Sequence, residues 1–194
     1  MTMTVETSSR LVTTATSEVE LGQNAIGDDA MNYHNITKAD MLNGDGVRVV
    51  LWVAGCSHHC HKCQNPETWD VKGGIPFDES AVAEILDELR HDWCDGLTLS
   101  GGDPLHVENR DTVLKLCSII KERFPNKTIW CYTGYEWDAV KNIPGIEKID
   151  ILIDGKFDIM RADIKYPWAG STNQRVIDVT KSLSERRVIL YEST

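Results

Sequence analysis

The stretch "GCSHHCHKCQNPETW", residues 55–69, sets Cys56, Cys60 and Cys63 at spacings of four and then three, with His58, His59 and His61 between them. Thiols and imidazoles at such density point to a metal. A single zinc needs four donors, so one of the three histidines would have to complete the set, yet the usual zinc pattern pairs two separated ligand couples and no second couple follows. An iron-sulfur reading accounts for more of the residues. Three thiolates hold three irons of a 4Fe-4S cluster and leave the fourth iron free to meet a small molecule. On spacing alone both readings stand.

The elements around this loop decide where it sits. "RVVLWVAG", which runs directly into the cysteines, is a continuous apolar run of strand length, the kind found in the interior of a parallel sheet. Asp78 then offers an N-cap, and Val82, Ile85, Leu86, Leu89 and Trp93 recur at helical spacing. "GLTLS" at 96–100 is the next expected strand and ends in the turn "GGDP". Val113, Leu116, Cys117, Ile120 and Phe124 mark a second helix, while "TIWCYTG" and "IDILIDGKF" predict two more strands with a short helix over "EWDAVKNI" between them.

The order β-α-β-α-β-α-β implies parallel strands joined by right-handed crossovers. Ligands in such folds sit at the carboxyl ends of the strands. Here those ends carry "GCSHHCHKC", "SGGDP", "YTGY" and "DGKF". About 160 residues from Met31 onward are too few for an eight-stranded barrel of ~250, so the expected fold is α/β, a partial, open parallel β/α barrel.

Composition limits the function classes. The chain has 194 residues, and 20 basic against 30 acidic side chains give a net charge of -10, which argues against a nucleic-acid partner. No apolar run approaches the ~18 residues of a membrane span, and no basic-then-apolar segment opens the chain, so no membrane partner and a cytoplasmic location are expected. Residues 1–30 are rich in Thr and Ser, lack aromatic residues and read as a disordered leader; residues 31–194 read as a single domain. Cys117 on an apolar helix face and Cys131 inside a strand are expected as core thiols, with Cys94 undecided, and His91 and His106 as surface residues.

The Cys-x3-Cys-x2-Cys loop after the first apolar strand resembles the signature of the radical S-adenosylmethionine superfamily. Together with "MNYHNI", "NGDGVR", "LSGGDPL", "YTGY", "DGKF" and "GSTNQ", in that order over residues 31 to 175, it is similar to the activating proteins of glycyl-radical enzymes, in particular those serving anaerobic ribonucleoside-triphosphate reductase. The resemblance implies a partial barrel of the radical S-adenosylmethionine type, with Cys56, Cys60 and Cys63 on a 4Fe-4S cluster. It implies that S-adenosyl-L-methionine chelates the open iron and is cleaved by one electron to a 5'-deoxyadenosyl radical. That radical would take hydrogen from a backbone glycine of the reductase's large subunit.

An external low-potential electron donor is implied as well. Gly101 and Gly102 are expected to let backbone approach the methionine end of this ligand, and Asp103 to accept from its ammonium; a tight glycine turn with a capping Asp is the alternative. The family places Lys62 and Gln64, flanking Cys63, at the border of the adenine, although Lys62 stands where much of the superfamily has an aromatic residue. A second glycyl-radical enzyme or a small heterocyclic metabolite is the alternative substrate.

Overall fold

The computed structural model of the chain describes residues 31–192, so the leader expected over residues 1–30 lies outside the described residues. Seven strands form one sheet in the order β3-β1-β2-β4-β5-β6-β7. The centre is β2 (Arg48–Val53), β4 (Gly96–Gly101), β5 (Thr128–Tyr132) and β6 (Ile151–Asp154), all parallel. These are the four strands that the sequence predicts. The flanks are antiparallel: β1 (Asn32–Asp40) pairs with β2 and with the short β3 (Ile75–Pro76), and β7 (Arg175–Asp178) pairs with β6. The linear order leaves the sheet open.

Local chemistry explains the helices. Asp78 caps α1 (Glu79–Leu89) by accepting from the Ala81 N–H at 3.0 Å, which meets one of the donors that a helix start leaves unpaired. Val82, Ile85, Leu86 and Leu89 are buried as their spacing requires, whereas Trp93 lies beyond the helix end and is exposed. In α2 (Arg110–Arg123), Val113, Leu116, Cys117 and Ile120 are buried. Lys121 in its last turn favours the negative end of the helix dipole and reaches Asp150 at 2.6 Å. The short α3 spans Trp137–Val140, and α4 spans Val179–Glu185.

Strand alternation gives the sheet two unlike faces. Val49, Leu51 and Val53 of β2, Leu97 and Leu99 of β4, and Ile129 and Cys131 of β5 join residues from all four helices in one large core. Each fully buried Leu or Val there is worth roughly 1.5–3 kcal/mol. The other face carries Arg48, Trp52, Thr98, Ser100, Trp130 and Tyr132, and its small cluster of Trp130, Ile151, Ile153 and Val176 contains no helical residue. Segments 41–45 and 157–174 pass beside it instead. That face therefore mixes polar, aromatic and aliphatic side chains, with the four helices packed in the core on the opposite side.

Arg48 anchors that face from below. Its buried guanidinium donates to Thr98 Oγ1 at 2.8 Å, to the carbonyls of Asp45, Leu97 and Thr128, and to Thr128 Oγ1. It also lies 5.4 Å from the Trp130 ring centre. Burial lowers its pKa to about 10, and nearby acidic groups oppose that shift. Among the described residues no helix is long and apolar enough to cross a membrane.

Candidate cofactor site

The cysteine loop begins where β2 stops pairing. Gly55 turns the chain at φ 98°, and its N–H and that of Cys56 donate to the carbonyls of Thr68 and Trp69 at 2.8 and 3.0 Å. A 3₁₀ turn over Pro66–Thr68 thus clips the far end of the loop onto its start. Inside it, His59 and Lys62 hold left-handed backbone at φ 46° and 59°, and the Cys63 N–H donates to the Cys60 carbonyl at 3.1 Å. These reversals bring Cys56, Cys60 and Cys63 to one wall of a cavity of about 180 Å³.

All three cysteines are free thiols and half-buried. Burial pushes the thiols of Cys56 and Cys60 above their ordinary pKa, so a bound metal must displace a proton from each. Among the described residues no three His, Cys, Asp or Glu side chains converge on a single metal-ion position. One tetrahedral ion needs its donors within ~2.3 Å of a common point. Three thiols on one cavity wall suit a polynuclear cluster, which offers each sulfur a different iron.

The remaining wall comes from the strand ends. Ser100 and Gly101 end β4 and Gly102 follows it, Tyr132 ends β5 with Thr133 and Gly134 after it, Gly155 and Phe157 follow β6, and Gly170 and Gln174 precede β7. A Cβ on Gly102 would stand 2.5 Å from the Gly55 carbonyl oxygen. Glycine is required because the turn hugs the exit of β2, where the Gly102 and Asp103 N–H groups donate to Val53 and Gly55 carbonyls, both at 2.8 Å.

Two of the residues expected at the ligand stand outside this wall. Asp103 is only 1% exposed and is not part of the cavity wall. Its carboxylate accepts from the Leu105 N–H at 2.8 Å, the Thr133 hydroxyl at 2.9 Å, the Gly134 N–H at 3.0 Å and His58 Nε2 at 2.7 Å. Protein donors reach both oxygens, and through them Asp103 ties the strand ends together. Lys62 is exposed and also lies outside the wall; Gln64 is part of it.

Several residues that build the site carry little signal in the sequence. His58 is buried among Asp103, the Tyr135 ring at 4.5 Å and Gly134, where an added Cβ would stand 2.3 Å from the imidazole. Asn109 gives no side-chain cap to α2; its fully buried amide instead donates to Ala54 and Asp103 carbonyls at 2.8 and 2.9 Å. Gln174 donates to the Gly155 carbonyl at 2.9 Å and accepts from the Gly170 N–H at 3.0 Å. The "YTGY" strand end contains Thr133 and Gly134, and Gln174 falls in the "GSTNQ" block of the resemblance, but only folding shows what they touch. Cys94, Cys117 and Cys131 are buried away from the cavity, and burial holds the Cys117 thiol up at about 12. His91 is exposed, while His106 is half-buried.

An open α/β sheet that gathers three free thiols and four glycine-bearing strand ends around one cavity defines a cofactor-binding protein. Residues 42–177 match the family described as a 4Fe-4S single cluster domain. The chain is also similar to curated relatives, each an anaerobic ribonucleoside-triphosphate reductase-activating protein. The one from Enterobacteria phage T4 is 42% identical over 146 residues, covering 75% of this chain and 93% of that protein. Those from Pasteurella multocida and Escherichia coli are each 40% identical, covering 78% and 75% of this chain and 99% and 97% of theirs. The chain belongs to the 4Fe-4S single cluster domain family and, within it, to the anaerobic ribonucleoside-triphosphate reductase-activating proteins.

Proposed function

We propose that this chain activates an anaerobic ribonucleoside-triphosphate reductase by generating a glycyl radical on its large subunit, in the cytoplasm, through a 4Fe-4S cluster and S-adenosyl-L-methionine. The observation that carries the reading is the meeting of Cys56, Cys60 and Cys63 with the ends of β4, β5 and β6 around one cavity. When bound, the cluster and S-adenosyl-L-methionine supply a one-electron reductive cleavage that ends in abstraction of a hydrogen atom.

The chain's own residues do the holding and shielding. Cys56, Cys60 and Cys63 take three irons. Gly101, Gly102, Gln64 and the backbone at Cys63 are assigned to S-adenosyl-L-methionine, since each belongs to the cavity wall. Asp103 fixes that wall through His58 and Thr133 rather than by touching the ligand. Residues 31–194 act as one domain, and the open sheet with its helices on one face is read as a partial barrel of the radical S-adenosylmethionine type. An open mouth suits a protein substrate, whose glycine must be admitted from outside. An external low-potential donor supplies the electron, and neither nucleic acid nor membrane takes part.

Mixing the anaerobically reconstituted protein with reductase carrying deuterated glycine tests the reading. A doublet organic radical signal with unlabelled reductase, its collapse to a narrow single line with the deuterated one, and deuterium in the released 5'-deoxyadenosine are expected. Cofactor cleavage with neither outcome, accompanied by consumption of a small heterocycle, would move the chain to the metabolite-enzyme alternative.

A further inference from the structure

We infer that the indole Nε1–H of Trp69 donates a hydrogen bond to sulfur at the cluster site, either a bridging sulfide or a cysteine thiolate, and that Trp69 is thereby a positioning residue governing how readily the site accepts an electron. The inference rests on the reading that Cys56, Cys60 and Cys63 hold a 4Fe-4S cluster. Trp69 lines the same cavity as those thiols, and its Nε1 is sealed from solvent without an acceptor among the described residues. A buried donor left unpaired costs roughly 1–3 kcal/mol, so a retained one calls for an acceptor in whatever fills the cavity. The other partnerless buried ring nitrogens among the described residues, on His34 and Trp168, belong to residues outside this wall.

The placement of the indole favours sulfur over a more distant ligand atom. Trp69 belongs to the cysteine loop itself, and its carbonyl accepts from the Cys56 N–H at 3.0 Å. The preceding turn is fixed by the Thr68 hydroxyl on the Asn65 carbonyl at 2.7 Å. The indole is therefore set relative to the first thiol before any group arrives. His59 covers it edge-on, with ring centres 4.8 Å apart and planes at 89°, and at best offers a weak π-face acceptor. An N–H aimed at cluster sulfur stabilises the more negative, reduced state and raises the potential.

The test is a Trp69→Phe variant, reconstituted anaerobically and titrated by electron paramagnetic resonance. Iron and sulfide content should match the unsubstituted protein, while the reduced-to-oxidised ratio at fixed applied potential falls about tenfold, equivalent to ~59 mV for a one-electron couple. Unsubstituted protein labelled with indole-¹⁵N tryptophan should show a nitrogen hyperfine coupling to the reduced cluster, and this measurement decides the matter if the variant does not load iron. A normal cluster with neither shift nor coupling overturns the inference alone. Failure of the unsubstituted protein to take up iron and sulfide overturns the cluster reading first, and this inference with it.

Discussion

His58 Nε2 lies 2.7 Å from Asp103 Oδ2, both side chains almost wholly buried, and this contact joins the cysteine loop to the turn that follows β4. Because Asp103 also accepts from Thr133 and Gly134 after β5, one carboxylate fastens three strand ends together. The cavity wall thus depends on a charge that never faces the cavity.

Asp103→Asn should accordingly act on stability. An amide puts an N–H2 where a carboxylate oxygen accepted, leaving at least one of its buried donors unpaired, and roughly 2–3 kcal/mol is the expected loss. Urea unfolding of the two proteins compares them directly. A variant of unchanged midpoint and slope that only binds S-adenosyl-L-methionine less well would restore the ligand-contact role for Asp103.

Replacing Cys56, Cys60 or Cys63 by Ala should abolish uptake of about four irons and four sulfides per chain, whereas Cys117→Ala should keep it. Cys117 is fully buried in the large core, so its truncation should lower the unfolding free energy by roughly 1 kcal/mol through lost packing. Iron, sulfide and zinc analysis on each variant settles the ligand set. One zinc per chain with no iron would reject the cluster.

Gly102→Ala places a Cβ 2.5 Å from the Gly55 carbonyl oxygen, a backbone atom that cannot swing aside. Pushing β4's exit off the cysteine loop should cost about 1–3 kcal/mol and reduce cluster retention on desalting. Gly155→Ala is the informative comparison: its Cβ would meet nothing closer than 3.9 Å, although its φ of 91° still strains an alanine. Gly102 is not among the left-handed glycines, so a Gly102→Ala variant that keeps both its stability and its cluster would show that the turn yields to the added methyl.

Arg48→Met removes a buried cation but strands its acceptors, the Thr98 hydroxyl and the Leu97 and Thr128 carbonyls. A loss of roughly 3 kcal/mol is expected, read as a lower urea midpoint. Gain of stability would mean that desolvating the guanidinium outweighs its hydrogen bonds.

The four central strands and two main helices are legible in the sequence because each buries a repeating apolar face: "RVVLWV", "GLTLSG", "TIWCY" and "ILID" need no partner to be recognised. The thiol triad is legible for a similar reason, since its spacing lies within one loop. The flanking strands are not. In β1 only Ile36 is buried along Asn32–Asp40, and β3 has two residues, so pairing with neighbours rather than hydrophobic pattern makes them strands.

The same limit applies to the site. The sequence by itself determined that three thiols and four glycine-bearing turns would stand at the ends of parallel strands, because strand direction and crossover length leave little choice. Only the tertiary structure decided which polar groups face the cavity. Asp103 and Gly102 are adjacent in sequence, yet one is locked behind the wall by His58 and Thr133 while the other forms it. Side-chain direction at a turn follows from contacts with residues 30 to 45 positions away, and those contacts form only when the sheet has assembled.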